Sequence, residues 1–374
     1  MFHNYKVKNY NLRLVLALMA LTILGIMVIG SADADKQGKQ IIGMALGLVV
    51  MVIVSLIDYE FVLRFHYYYY AGAILLLLVV LTPLGYTVAG ATRWIKITDS
   101  FRFQPSELAK ILLILFFAWY LQEKIDDINK TKTLIFIVAF AVLPLFLIIK
   151  EPDLSTTIVT FSIIFVMLFM SDLSYKITGI LVGVGAPFVA IILLLIKHRN
   201  ALLLKIMGYQ SLRILAWMFP EEYPESSYQQ QNSIMAVGSG RFYGKGLNTD
   251  SISSVKNGNY ISEPHTDFIF AVAGEELGFI GSVLIVVLLL IIVIECLRVA
   301  KHAKNKAGEL ICVGMASLVA VQSFVNICVV TGLMPNTGIP LPFVSYGVTS
   351  LTTLYFGMGF VLNVGLQSKR TWEE

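Results

Sequence analysis

Long runs without a charged residue dominate this chain. Residues 14–32, 40–57, 67–92, 133–149, 154–171, 177–196 and 277–294 each lack Asp, Glu, Lys and Arg over at least 17 positions, and a helix of about 20 residues crosses the hydrocarbon core of a bilayer. Residues 310–368 are uncharged for 59 positions, enough for two spans, and the Pro- and Gly-rich run from Thr331 to Pro342 marks the turn between them. These intervals predict nine spans. A tenth is predicted over 105–122, where only 12 uncharged residues separate Lys110 from Glu123, so Glu107 and Lys110 must lie in or near the membrane. The expected architecture is one all-α integral membrane domain over 1–374. Its ten transmembrane helices fall at about 13–32, 40–57, 67–83, 105–122, 133–150, 155–172, 177–196, 267–295, 309–332 and 345–367, with a long extracellular loop, 197–266, between helices 7 and 8.

Composition agrees with that class. Of 374 residues 57% are apolar and 14% charged, against roughly 25% charged in soluble domains, which excludes an ordinary soluble enzyme. Lysine and arginine then orient the chain, because short cytoplasmic loops hold the positive excess. With the N-terminus inside, the inner segments carry 14 of them and the short outer loops 6, so the predicted topology is N-in and C-in. The net charge of +4 follows from this bias and gives no reason to expect a nucleic-acid partner. The first apolar run lacks a small-residue cleavage pattern and is read as a span that serves as its own insertion signal. Cys296, Cys312 and Cys328 show no disulfide spacing, and the five histidines no metal motif.

An outer loop of about 70 residues is longer than a connection requires. Within it, residues 199–219 mix Leu, Ile, Met and Trp with Arg199, Lys205 and Arg213, the pattern of a helix on the membrane surface with basic side chains toward head groups; a segment dipping into the bilayer is the alternative. The run GSGRFYGKGL from Gly238 is too glycine-rich for a helix interior. Its amides and Lys245 could approach a phosphate or sugar, or the glycines could serve tight turns only. No P-loop spacing is present, so nucleotide hydrolysis is unsupported.

Ionisable residues at membrane depth cost at least about 2.5–3.5 kcal/mol each on insertion scales, so each needs a partner or a function. Glu107 and Lys110 share one face of the fourth span and can neutralise each other, or line a functional cavity. The topology puts Arg93, Trp94, Glu151, Asp153 and Asp267 at the same outer face as that pair. Glu275 and Glu276 lie about 12 Å deeper than Asp267 if the span is continuous, where hydrogen bonding to neighbouring helices is the simplest reading. Asp267, by spacing alone, could be no more than a helix cap.

Five blocks together resemble one family: GATRW at 90–94, QPSELAK at 104–110, EPDLST at 151–156, HTDFIFAVAGEELGFIG at 265–281 and GIPLPFVSYGVTSL at 338–351. They look like the SEDS family, which comprises RodA, FtsW and SpoVE. The resemblance implies a peptidoglycan glycosyltransferase in the bacterial cytoplasmic membrane, multi-pass, that polymerises lipid II at the outer face and works with a class B penicillin-binding protein. It places the family's essential carboxylate on Asp267 as general base. Arg93, Trp94, Glu107, Lys110, Asp153, Lys245, Glu275 and Ser345 become candidates for substrate binding, with Arg93 and Lys110 assisting the pyrophosphate. A divalent cation would suit the chemistry, but no ligand spacing specifies one. Two departures stand out: Gly347, Val348 and Thr349 replace Gly-Gly-Ser, and Gly240-Arg241 replaces Gly-Gly. Short termini resemble the RodA branch, of elongation and cell shape, with division (FtsW) or sporulation (SpoVE) as alternatives. A lipid II flippase and a non-catalytic scaffold are rival functions.

Overall fold

The computed structural model describes residues 5–88, 91–98, 101–199, 201, 204, 207–249, 254, 257, 258 and 260–368. Helices follow the charge-free runs: α1 Leu12–Ala32, α2 Ala34–Ser55, a short α3 Tyr59–Leu63, α4 His66–Val80, α5 Pro105–Glu123, α6 Thr131–Lys150, α7 Leu154–Phe169 and α8 Tyr175–Lys197. After them come α9 Tyr209–Met218, α10 Pro224–Ser239, α11 Ile269–Lys301, α12 Lys306–Val330 and α13 Val348–Leu366. Among the described residues eight of these, α1, α2, α5, α6, α8, α11, α12 and α13, are long and apolar enough to cross a membrane. The shorter apolar helices α4 and α7 occupy the places of the third and sixth predicted spans. At 15 residues α4 covers only about 22 Å by itself.

Local chemistry starts several helices where the apolar runs begin. Side chains of Asn11, Asp33, Asp153, Ser174 and Asn305 accept hydrogen bonds from backbone N–H groups in the first turns of α1, α2, α7, α8 and α12, caps worth about 1 kcal/mol each. Pro105 opens α5, where its missing N–H costs nothing, and Glu107 in the first turn complements the helix dipole. Helices α5, α12 and α13 form the interior and are buried over most of their length. By contrast α6 and α8 turn Ile135, Val138, Phe146, Val182 and Leu194 outward, a surface that suits lipid and not water.

Two features depart from the expected helices. Gly85–Val88, Ala91–Thr98 and Phe101–Phe103 form a three-stranded antiparallel sheet, β1-β2-β3, with Tyr86 opposite Trp94 and Ile95 opposite Phe103. Thr, Tyr, Val, Ile and Trp favour this pleated surface, but next to the span signal the stretch reads as loop. The eighth predicted span is also not continuous, since Gly278 breaks α11 with φ 65° and ψ −159°. It splits off a first segment, 269–277, that is buried almost throughout.

The long loop is built as well. Helix α9 buries Ser211, Ile214, Leu215 and Ala216. It corrects the surface-helix expectation for Arg213, which turns inward as described below. Arg199 pairs with Glu222 and lies over Phe219, and Lys205 lies outside the described residues.

Candidate active site

The segment between α12 and α13 is positioned by side chains from several helices. Ser155 Oγ donates to the Thr337 carbonyl at 2.6 Å, Asn326 Nδ2 to the Ile339 carbonyl at 2.7 Å, and Gln322 Nε2 to the Pro340 carbonyl at 3.0 Å. The same Asn326 amide donates to the backbone carbonyl of Asp267 at 2.8 Å, so one side chain fixes both strands of the site. Ser345 Oγ accepts from Leu341 N and donates to the Thr266 carbonyl, both at 2.7 Å, while Tyr346 N donates to the His265 carbonyl at 2.9 Å. Ser345 therefore ties the final sequence block to the residue before Asp267.

Gly338 is the point of convergence. It has φ +69°, and a Cβ built there would stand 3.3 Å from Asp267 Oδ2, 3.7 Å from Arg213 Nη1 and 3.8 Å from Arg93 Nη1. Asp267, Arg213, Gly338 and Asn336 line a cavity of about 630 Å³ together with Tyr209, Tyr228, Glu225 and Glu263, within the size range of small-molecule sites. Arg93, on β2, also reaches Asp153 Oδ2 at 3.5 Å, and Asp153 caps α7 through its other oxygen at 3.0 Å from Thr156 N. Trp94, the next residue on the strand, points to the opposite face of the sheet. Among the described residues, Arg93 Nε, Arg213 Nη1 and Asn336 Oδ1 are buried with no hydrogen-bond partner. Such groups are costly unless a ligand or water completes them.

The electrostatics pull the acids apart. Burial pushes Asp267 up to about 6, Arg93 and Arg213 oppose the rise, and Asp153 and Glu263 add to it. Glu151, fully buried with neither carboxylate oxygen hydrogen-bonded, is pushed to about 9 by burial and then by Asp153, with Arg93 opposing. At neutral pH Glu151 is thus a neutral acid and Asp267 a carboxylate close to its titration midpoint. That is where a general base works best.

The other predicted residues are placed elsewhere. Lys110 Nζ donates to Glu107 Oε1 and to Gln322 Oε1, each at 2.8 Å, and Ser350 Oγ donates to Glu107 Oε2 at 3.3 Å; Lys110 is 1% exposed. This pair is enclosed behind the 337–347 segment and does not line the cavity. Lys245 Nζ meets Glu275 Oε1 at 2.5 Å, and neither residue lines the cavity. Arg213, Tyr209, Glu263 and Gly338 were not singled out for the site by the sequence. The only available signal for Arg213 was its i,i+4 spacing from Tyr209, over whose ring its guanidinium sits at 4.6 Å. Among the described residues no group of three or more His, Cys, Asp or Glu is arranged to hold a metal ion.

A family model described as cell cycle protein, covering FtsW, RodA and SpoVE, matches residues 11–370. The chain belongs to the FtsW/RodA/SpoVE family. It is 33% identical to a probable peptidoglycan glycosyltransferase FtsW of Geobacter sulfurreducens, over 97% of each chain. It is 34% identical to the peptidoglycan glycosyltransferase MrdB of Escherichia coli K12, over 95% of this chain and 93% of that one. Among solved structures, the fold matches Thermus thermophilus rod shape determining protein RodA with TM-score 0.70 and 25% identity, over 96% of this chain and 98% of that one. A chain from a peptidoglycan synthase complex, solved for how polymerization and crosslinking are coordinated, matches with TM-score 0.78 and 26% identity, over 95% and 97%. Relatives named FtsW, relatives named MrdB and a structure named for rod shape thus stand side by side among the matches of this chain.

Proposed function

We propose that this chain polymerises lipid II into glycan strands at the outer face of the bacterial cytoplasmic membrane, with Asp267 as general base. The chain is a peptidoglycan glycosyltransferase of the FtsW/RodA/SpoVE family and a multi-pass membrane protein. The observation that carries the proposal is the convergence at Gly338 of one carboxylate and two guanidinium groups beside a cavity. In the reaction Asp267 takes the proton of the acceptor 4-hydroxyl. The oxygen attacks the anomeric carbon of the lipid-linked sugar, and the bond to diphosphate breaks with inversion. Arg93 and Arg213, each with one buried nitrogen that lacks a partner among the described residues, stabilise the charge that develops on the leaving diphosphate. Lys110, satisfied by Glu107 and Gln322, serves by bracing the wall that carries Gly338.

The polyprenyl tail stays in the bilayer while the head group reacts outside, which accounts for a site at one end of a helical bundle. On the reading of ten spans with both termini inside, that end faces outward. The synthase-complex likeness supports a class B penicillin-binding protein as partner, and the RodA-type role in elongation is the branch we favour. The test is a purified wild-type protein, alone and with its transpeptidase partner, given labelled lipid II in one assay for glycan strands and one for transbilayer movement. Strands without movement are expected; movement without strands would make it a flippase, and neither would make it a scaffold.

A further inference from the structure

At the break in α11 the helix loses its own backbone hydrogen bonds, and the glycine-rich loop supplies replacements. A helix end leaves its terminal carbonyls and N–H groups without partners. Here Lys245 N and Gly246 N donate to the carbonyls of Glu275 and Glu276, both at 2.9 Å, while Phe279 N and Ile280 N donate to the carbonyls of Arg241 and Phe242 at 2.9 and 3.3 Å. The contact is close enough that side chains are excluded: a Cβ on Gly240 would collide with the Gly274 carbonyl, one on Gly244 with the Glu276 carbonyl, and one on Gly278 with Gly244 N. Side chains reinforce it. Glu275 binds Lys245 at 2.5 Å and Ser239 Oγ at 3.5 Å, and Ser31 Oγ bridges Glu276 Oε1 and Asn248 N at 2.7 and 3.0 Å.

The buried segment 269–277 starts two residues after Asp267 and ends at the break. Its C-terminal end is therefore fastened to the long loop through the carbonyls of Glu275 and Glu276. We propose that residues 240–246 form a clamp that sets the depth and orientation of this segment, and thus of Asp267, with Lys245 and Glu275 as positioning residues that do not touch substrate. This rests on the reading of Asp267 as general base. It also gives the glycines and the acidic pair of HTDFIFAVAGEELGFIG one shared purpose.

The test compares wild type with Lys245→Met, Glu275→Gln and the double variant, in full-length protein with its partner in lipid nanodiscs. One arm measures hydrogen exchange of amides 269–277 and the other lipid II polymerisation. Each single variant should exchange these amides about tenfold faster and lower kcat by up to about 10²-fold with KM little changed, because misplacing a base acts on the chemical step. The double variant should be no worse than either single, the signature of one shared contact. A rise in KM with unaltered kcat and unaltered exchange for Lys245→Met would make Lys245 a substrate ligand and overturn the clamp, as would strictly additive losses. Absence of polymerisation in wild type would instead defeat the reading of Asp267, and the exchange arm would still decide whether the clamp exists.

Discussion

Two polar clusters sit behind and in front of the same backbone segment, and from the sequence they look alike. Behind it, Glu107 and Lys110 are closed off with Gln322 and Ser350, and each charged group finds hydrogen-bonding partners within the protein. In front of it, Asp267, Arg93 and Arg213 converge on Gly338 beside a cavity, and one buried nitrogen of each arginine has no partner among the described residues. Membrane depth alone therefore does not mark a reaction site. Incomplete pairing next to open volume is the better sign, because an enclosed pair that already holds its partners presents no free group to a cavity.

Breaking the rear pair should have the largest effect, and on stability first. Lys110→Met leaves the Glu107 carboxylate buried and uncompensated at a cost of about 3–5 kcal/mol, so folded yield and thermal midpoint in detergent should fall sharply. Adding Glu107→Gln should recover much of the loss. A stable single variant would mean that the pair is solvated and would erase the contrast. The front cluster should respond in rate: Arg213→Met is expected to keep the thermal midpoint near wild type and reduce polymerisation by about 10²–10³-fold, the scale of losing one charge-stabilising donor.

Acidity sharpens the contrast further. Burial raises Asp267 to about 6, so its base form is present above that pH and lost below it. Thus kcat/KM should climb about tenfold per pH unit up to about 6 and then level off. Arg213 opposes the rise, and its removal should move the midpoint to higher pH; a midpoint near an ordinary Asp value in wild type would show Asp267 to be well solvated. The smallest effect belongs to Glu151, which at about 9 is already neutral. Glu151→Gln should change stability and rate little, whereas a large loss of polymerisation in a folded Glu151→Gln protein would mean that its charge takes part.

Most of the bundle was legible because charge-free runs are local signals. The caps Asp33, Asp153 and Asn305 are seen only in the structure. The sheet was hidden because strand pairing between Tyr86 and Trp94 is a nonlocal fact beside a stronger apolar run. Asp267, Arg93 and Asp153 were legible through the family blocks, and the structure brings these three together. Arg213 was not, since a lone arginine in an amphipathic helix has the same sequence pattern whether it faces head groups or a cavity. Lys245 and Glu275 were candidates for substrate binding, with hydrogen bonding to neighbouring helices the simpler reading of Glu275, and only the contact between residues 30 apart shows them facing each other. Arg241 sits at φ 51°, where a side chain is strained.

The central claim is that Asp267 moves a proton, and Asp267→Asn tests it most directly. The amide keeps the shape of the side chain but cannot act as the base, so glycan polymerisation by the purified variant with its partner should fall by about 10²-fold or more, while thermal stability and lipid II binding persist. A stable Asp267→Asn protein that polymerises lipid II at the wild-type rate would contradict the account.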